Sequence, residues 1–190
     1  MNHSPDEFST RIKDICEKAF QRAIFISKTS DVGSAAITWL DMELPVNESG
    51  SARDNCLDLL GVDATGRYVL CELKFARKSK GHGSPSDANK QIRDYYRFLT
   101  EHIGTIKNEL HTNARAKSID EEAFKSQMPR LIVAANEKYW HVWRKEAFID
   151  NGVEHYSIKI DPNEFLRQKG EAKEYDPKPP MSGLKWTRLD

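Results

Sequence analysis

Apolar residues recur along this chain at two spacings, and the change from one to the other marks its elements. Near the N-terminus Phe8, Ile12, Ile15 and Ala19 lie three or four residues apart, predicting an amphipathic helix that runs to about Gln21. Ser4-Pro5-Asp6-Glu7 has the grammar of its start, with Ser4 as N-cap and Pro5 at the first helical position. Ala36 to Val46 lacks a helical period and stops at Pro45, so it reads as a strand, followed by a polar loop from Asn47 to Asp54. Cys56 to Asp63 and Arg67 to Ala76 are strand-like runs around Ala64-Thr65-Gly66, the pattern of a hairpin whose three-residue loop ends in a left-handed glycine. Arg77 to Pro85 is a basic, Gly- and Ser-rich loop. Ser84-Pro85-Ser86-Asp87 then repeats the helix-start grammar. It opens a long helix striped by Ala88, Ile92, Tyr95, Leu99, Ile103, Ile106 and Leu110, which Gly104 weakens locally.

Arg115 to Met128 is polar, with room for one short helix. Leu131-Ile132-Val133-Ala134-Ala135 suits a strand buried on both faces. Asn136 caps a helix carrying Trp140, Trp143 and Ala147, and Val153 to Ile160 reads as the final strand. From Gln168 the chain turns polar and Pro-rich, as a loosely attached tail would. The order is helix, three strands, helix, strand, helix, strand, which is an α/β fold. One domain over 1–167 and a tail over 168–190 follow.

The hairpin fixes what faces what. With Asp63 opposite Arg67, counting outward places Asp58 opposite Glu72, and Lys74 projects from the same face two residues on. Val69, Cys71, Leu73 and Phe75 alternate with Leu70, Glu72, Lys74 and Ala76, so one face is wholly apolar and the charges are confined to the other. Carboxylates placed opposite each other repel. Lys74 offsets part of that charge, and a divalent cation would offset more, with oxygen ligands that suit Mg²⁺ or Mn²⁺.

Composition narrows the classes. The 190 residues are 38% hydrophobic and 31% charged, with no apolar stretch near the ~20 residues that span a bilayer. The polar, acidic N-terminus is unlike a secretory signal. Three cysteines without a C-x-x-C pair fit free thiols in a reducing compartment, and cytoplasmic residence is the default expectation. Cys71 reads as a small apolar core residue, Trp140 and Trp143 as core, and the six scattered histidines offer no zinc spacing. The 29 basic residues match the 29 acidic ones. Yet Lys74, Arg77, Lys78 and Lys80 crowd one segment, followed by Lys90, Arg93 and Arg97, so a neutral total can hold a basic face.

Leu57-Asp58, a 13-residue interval and then Glu72-Leu73-Lys74 resemble the D…E-x-K signature of the PD-(D/E)XK nuclease superfamily, and Gln91 with Tyr95 resembles its Q-x-x-x-Y element. The motif-bearing match covers about Arg53 to Leu99, and Leu57 stands where the family name has proline. The resemblance implies a restriction-endonuclease-like αβββαβ core, a mixed central sheet flanked by helices. It implies a Mg²⁺- or Mn²⁺-dependent deoxyribonuclease acting on DNA. Asp58 and Glu72 would hold the metal with the Leu73 carbonyl, Lys74 would act on the attacking water, and Gln91 would position a strand or a metal-bound water. Arg77, Lys78, Lys80 and Arg93 would contact phosphates. The family's helix-one acid is left open between Glu7, Asp14 and Glu17, of which Glu17 lies opposite the apolar stripe. A homodimer would bring two sites to the two strands of a duplex. The alternative is a catalytically silent module of the same fold that binds nucleic acid or assembles with protein.

Overall fold

The computed structural model describes residues 17–47, 55–76, 83–109, 119–143, 152–159, 165–167, 175–177 and 184–189. The expected cap at Ser4, the positions Phe8, Ile12, Ile15, Leu110 and Ala147, and the candidates Glu7, Asp14, Arg77, Lys78 and Lys80 lie outside them. Helix α1 (Glu17–Ile26) leads into β1 (Thr29–Val32), β2 (Ala35–Pro45), β3 (Cys56–Asp63) and β4 (Tyr68–Lys74). Helices α2 (Pro85–Glu109) and α3 (Glu121–Ser126) precede β5 (Arg130–Asn136). Then come α4 (Glu137–Val142), β6 (Val153–Lys159), β7 (Phe165–Arg167), β8 (Tyr175–Pro177) and β9 (Lys185–Arg188).

Seven strands form one mixed sheet in the order β1-β2-β3-β4-β5-β6-β9, and β7 and β8 make a separate ribbon. β1 to β4 are an antiparallel meander, β5 and β6 run parallel to β4, and β9 returns antiparallel to β6. The sheet curls strongly: Trp186 of β9 stacks on Trp39 of β2 with ring centroids 6.0 Å apart, and the two edge strands touch.

Period-two alternation sorts the strands into two cores. Val69, Cys71, Leu73 and Phe75 pack with Ala19, Phe20, Ala23 and Ile24 of α1 on one face. Leu70 and Ala76 pack with Ala88, Ile92, Tyr95, Leu99 and Ile103 of α2 on the other. The expected stripe of α2 is therefore the buried one from Ala88 to Ile103, and the side chains of Ile106 and Leu110 lie outside the described residues. Its start is a reciprocal cap, in which the Asp87 amide donates to Ser84 Oγ and the Ser84 amide donates to Asp87 Oδ2. The helix runs through Gly104, where a side chain would meet α3: a Cβ there would stand 2.9 Å from the Glu121 carboxylate.

The hairpin forms as counted. The Asp63 amide donates to the Arg67 carbonyl, Gly66 adopts φ +83°, and Asp63 Oδ1 accepts from the Thr65 and Arg67 amides.

Four expectations change. α1 continues to Ile26 rather than ending near Gln21, because Ala23 and Ile24 extend its buried stripe. Thr29–Val32 is an additional strand, too short and too polar for periodicity to reveal. Val153–Lys159 is not the last strand, and the polar tail is not loose throughout. Within it β8 pairs with β7, and β9 pairs with β6 while burying Trp186.

Candidate functional site

Lys74 closes β4 and Asn136 closes β5, so the charged residues collect at the carboxyl end of the parallel strands. Open α/β sheets characteristically bind ligands at that end. The local backbone explains why. The β3–β4 register runs from Val62↔Tyr68 to Leu59↔Cys71 and stops one pair short of Asp58 and Glu72. The counted register is thus correct, but the last pair is not a ladder pair. Instead the Asp58 side chain takes over from the ladder, with Oδ2 accepting from the Leu73 amide at 2.7 Å.

Glu72 is almost wholly buried, at 3% exposure, on the face that carries α2. Lys74 Nζ donates to Glu72 Oε1 at 2.7 Å and to Gln91 Oε1 at 3.0 Å, and Gln91 Nε2 donates to the Tyr95 hydroxyl at 2.6 Å. The expected grouping of Asp58, Glu72, Lys74 and Gln91 is present, with Tyr95 fixing the amide of Gln91. Leu73 lies between Glu72 and Lys74 in sequence, and its side chain sits in the opposite core. Arg93 is half-buried on α2, half a turn beyond Gln91.

Two residues that periodicity passes over belong to the same place. Glu17, half-buried in the first turn of α1, acts electrostatically on Asp58, Glu72 and Lys74. Viewed down the helix, Glu17 falls between Ile24 and Gln21 and so borders the buried arc. It falls opposite the stripe only when projected against Phe8, Ile12 and Ile15. The signal in the sequence is a polar pair, Glu17 and Gln21, one turn apart on a helix whose other inward positions are apolar. The second residue is Asn136. It caps α4 as expected, accepting from the Tyr139 amide, and it also clamps the chain just past Lys74. Its Oδ1 accepts from the Ala76 amide at 3.0 Å and its Nδ2 donates to the Ala76 carbonyl at 2.9 Å.

The electrostatics are lopsided. Burial, then the charge of Glu72, raises the Asp58 carboxyl well above the ordinary range, against the Leu73 amide that lowers it. Burial pushes Glu72 up to about 7, although Lys74 works against it. Burial would lower Lys74, but Glu72 outweighs it and holds the ammonium above its ordinary value. One lysine thus serves the buried Glu72 and the half-buried Asp58, with a third acid nearby.

The donor set fits a hard divalent cation on one specific observation: Glu72 Oε2 is buried and accepts no hydrogen bond among the described residues. No group of three or more Asp, Glu, His or Cys poised to hold a metal is found among the described residues. Two carboxylates remain sufficient for Mg²⁺, which keeps several waters and takes further oxygens from a substrate phosphate. Among the described residues no helix is long and apolar enough to cross a membrane. Comparison with known proteins assigns no family: no family model, no curated protein and no solved structure matches the chain.

Proposed function

We propose that this chain is a Mg²⁺- or Mn²⁺-dependent deoxyribonuclease of the PD-(D/E)XK type, hydrolysing phosphodiester bonds at Asp58, Glu72 and Lys74. The observation that carries this reading is the buried Glu72 carboxylate. One of its oxygens is held by Lys74 and the other is left without a hydrogen-bond donor among the described residues, beside Asp58. The topology supports it. With β1 and α3 set aside, α1, the meander β2-β3-β4, α2 and then β5 parallel to β4 follow one another in the order αβββαβ that the resemblance implies. β1, α3 and β6 to β9 are additions to it.

Asp58 and Glu72 would hold the cation, with the Leu73 carbonyl as a further oxygen and Glu17 as the acid of helix one. The cation neutralises phosphate oxygens and lowers the pKa of a bound water. Lys74 has three N–H donors, two of them engaged by Glu72 and Gln91. The third is available to orient the attacking water and to stabilise charge developing at phosphorus. Gln91, braced by Tyr95, sets the ammonium's position. Arg93 and the basic segment Arg77, Lys78 and Lys80 contact the phosphates of DNA. A homodimer supplies one such centre for each strand of a duplex.

Incubating the protein with single-stranded, duplex and branched DNA, with Mg²⁺ or Mn²⁺ and with chelator, tests the reading. Cleavage of at least one substrate, lost on chelation and in Asp58→Ala, is expected. Binding without cleavage of any of them would move the chain to the silent-module reading.

A further inference from the structure

Asp58 alone among the residues of β3 belongs to neither neighbouring register. β2 pairs with β3 at Met42↔Leu59 and Leu44↔Leu57 and skips the position between, where Glu43 adopts φ +54°. On the other side the β3–β4 register begins only at Leu59. Asp58 therefore lacks the ladder that holds a strand residue in place, and buried backbone groups at such a break need other partners.

Helix α1 spans the break. The buried Gln21 donates from Nε2 to the Asp58 carbonyl at 2.7 Å, a bond between residues 37 apart in sequence. One turn earlier Lys18 Nζ lies 3.3 Å from Glu43 Oε1, opposite the same irregularity. The backbone of Asp58 is thus held by Gln21, while its carboxylate reaches the Leu73 amide.

We propose that Gln21 is a positioning residue of the candidate centre, fixing Asp58 at the break in β3 so that its carboxylate lies beside Glu72. The role in catalysis rests on the metal-dependent reading above. The positioning itself does not, because the Leu73 N–H bonded to Asp58 Oδ2 reports it without metal. Gln21→Met keeps the volume of the side chain and removes the donor. Gln21→Asn, whose amide is one methylene shorter, serves if the first variant does not fold.

Amide hydrogen exchange is measured without metal on the wild type, the Gln21 variant and Asp58→Ala, followed by Mn²⁺ titration of the same proteins. Leu73 should exchange roughly three- to tenfold faster in the Gln21 variant, the effect that removal of one hydrogen bond allows. Ile132 and Val133 on the neighbouring strand should keep their wild-type rates. Asp58→Ala should expose Leu73 further, and Mn²⁺ should bind the Gln21 variant several-fold more weakly than the wild type. Wild-type exchange at Leu73 in a folded Gln21 variant would overturn the proposal. Faster exchange confined to Leu73, in a protein whose wild type binds no Mn²⁺, would uphold the positioning and sink the metal-dependent reading instead.

Discussion

The two ends of the parallel core each bury a charged cluster, and the clusters behave oppositely. At the amino end, Arg130 donates from Nε and Nη2 to the two oxygens of Glu154, both at 2.8 Å. Tyr156 adds a donor to Glu154 at 2.9 Å, and Arg188 lies 3.9 Å away. Burial works against the Glu154 carboxylate, yet the hydrogen bonds of Arg130 and Tyr156, with the charges of both arginines, hold it below its ordinary value. At the carboxyl end burial wins, and Glu72 is pushed up to about 7. Side-chain exposure is 10% and 20% for Arg130 and Glu154, against 12% and 4% for Lys74 and Glu72, so every member is largely removed from water. What separates the ends is the balance of charges and donors. A bidentate guanidinium with a second arginine satisfies one acid, whereas one ammonium serves two acids with Glu17 beside them. The first arrangement is complete and structural. The second is short of positive charge, which the proposed cation would supply.

The largest expected effect separates chemistry from structure. Under the proposed reading, Lys74→Ala lowers the rate of DNA cleavage by roughly two to four orders of magnitude, the range for removing a proton-transfer or charge-stabilising group. DNA affinity should fall only modestly and the fold should persist, because Lys74 acts where charge develops. Glu154→Ala should do the reverse. It leaves the turnover of folded molecules near wild type and costs roughly 1–3 kcal/mol of stability, below the range for a fully buried pair because Glu154 keeps some exposure to water. Single-turnover cleavage and chemical denaturation on the two variants check both statements. Similar reductions of turnover in both variants would erase the distinction between the two ends.

Much of the carboxyl-end cluster is legible in the sequence, because a hairpin with a constant register turns residue numbers into neighbours. Gly66 sets the count, and the count brings Asp58 to Glu72 and places Lys74 beside it. Legibility ends where regularity does. The break at Asp58 depends on Glu43, a non-glycine residue at positive φ, and nothing in local composition announces it. Glu17 and Gln21 are hidden by a helical stripe whose period is set by the residues before them. β1 and β9 have four residues each, with polar or charged positions suited to edges, so neither shows a period. Trp186 is a cue that the tail returns to the core.

Acidity offers the next test. Glu72 has a folded-state value of about 7 against an ordinary 4.5. The stability contributed by its protonated form is therefore fully present below about pH 4.5 and lost as pH rises through 7. Metal-free protein should lose stability across that window. Glu72→Gln should flatten the profile, and Mn²⁺ should restore the wild type at the alkaline side. Glu154→Gln should act oppositely, because a carboxyl held low contributes stability that is lost only as pH falls. Thermal melts from pH 4 to 8 on the three proteins decide this. A wild-type melting temperature that rises steadily with pH would contradict it.

The smallest effect lies outside both clusters. Replacing Arg77, Lys78 and Lys80 together should weaken DNA binding at every sequence. The slope of log K against log salt should flatten by up to about 0.9 for each phosphate that the variant no longer neutralises. Titration at several salt concentrations gives that slope, and an unchanged slope removes the segment from the DNA-binding surface.

The most direct measurement is a crystal structure of the protein soaked with Mn²⁺ and a short oligonucleotide, read by anomalous scattering. The predicted result is a peak about 2.0–2.2 Å from Glu72 Oε2 and from an Asp58 oxygen, with a phosphate oxygen completing the coordination. Bound Mn²⁺ elsewhere, with Glu72 still held only by Lys74, would contradict the assignment of this centre.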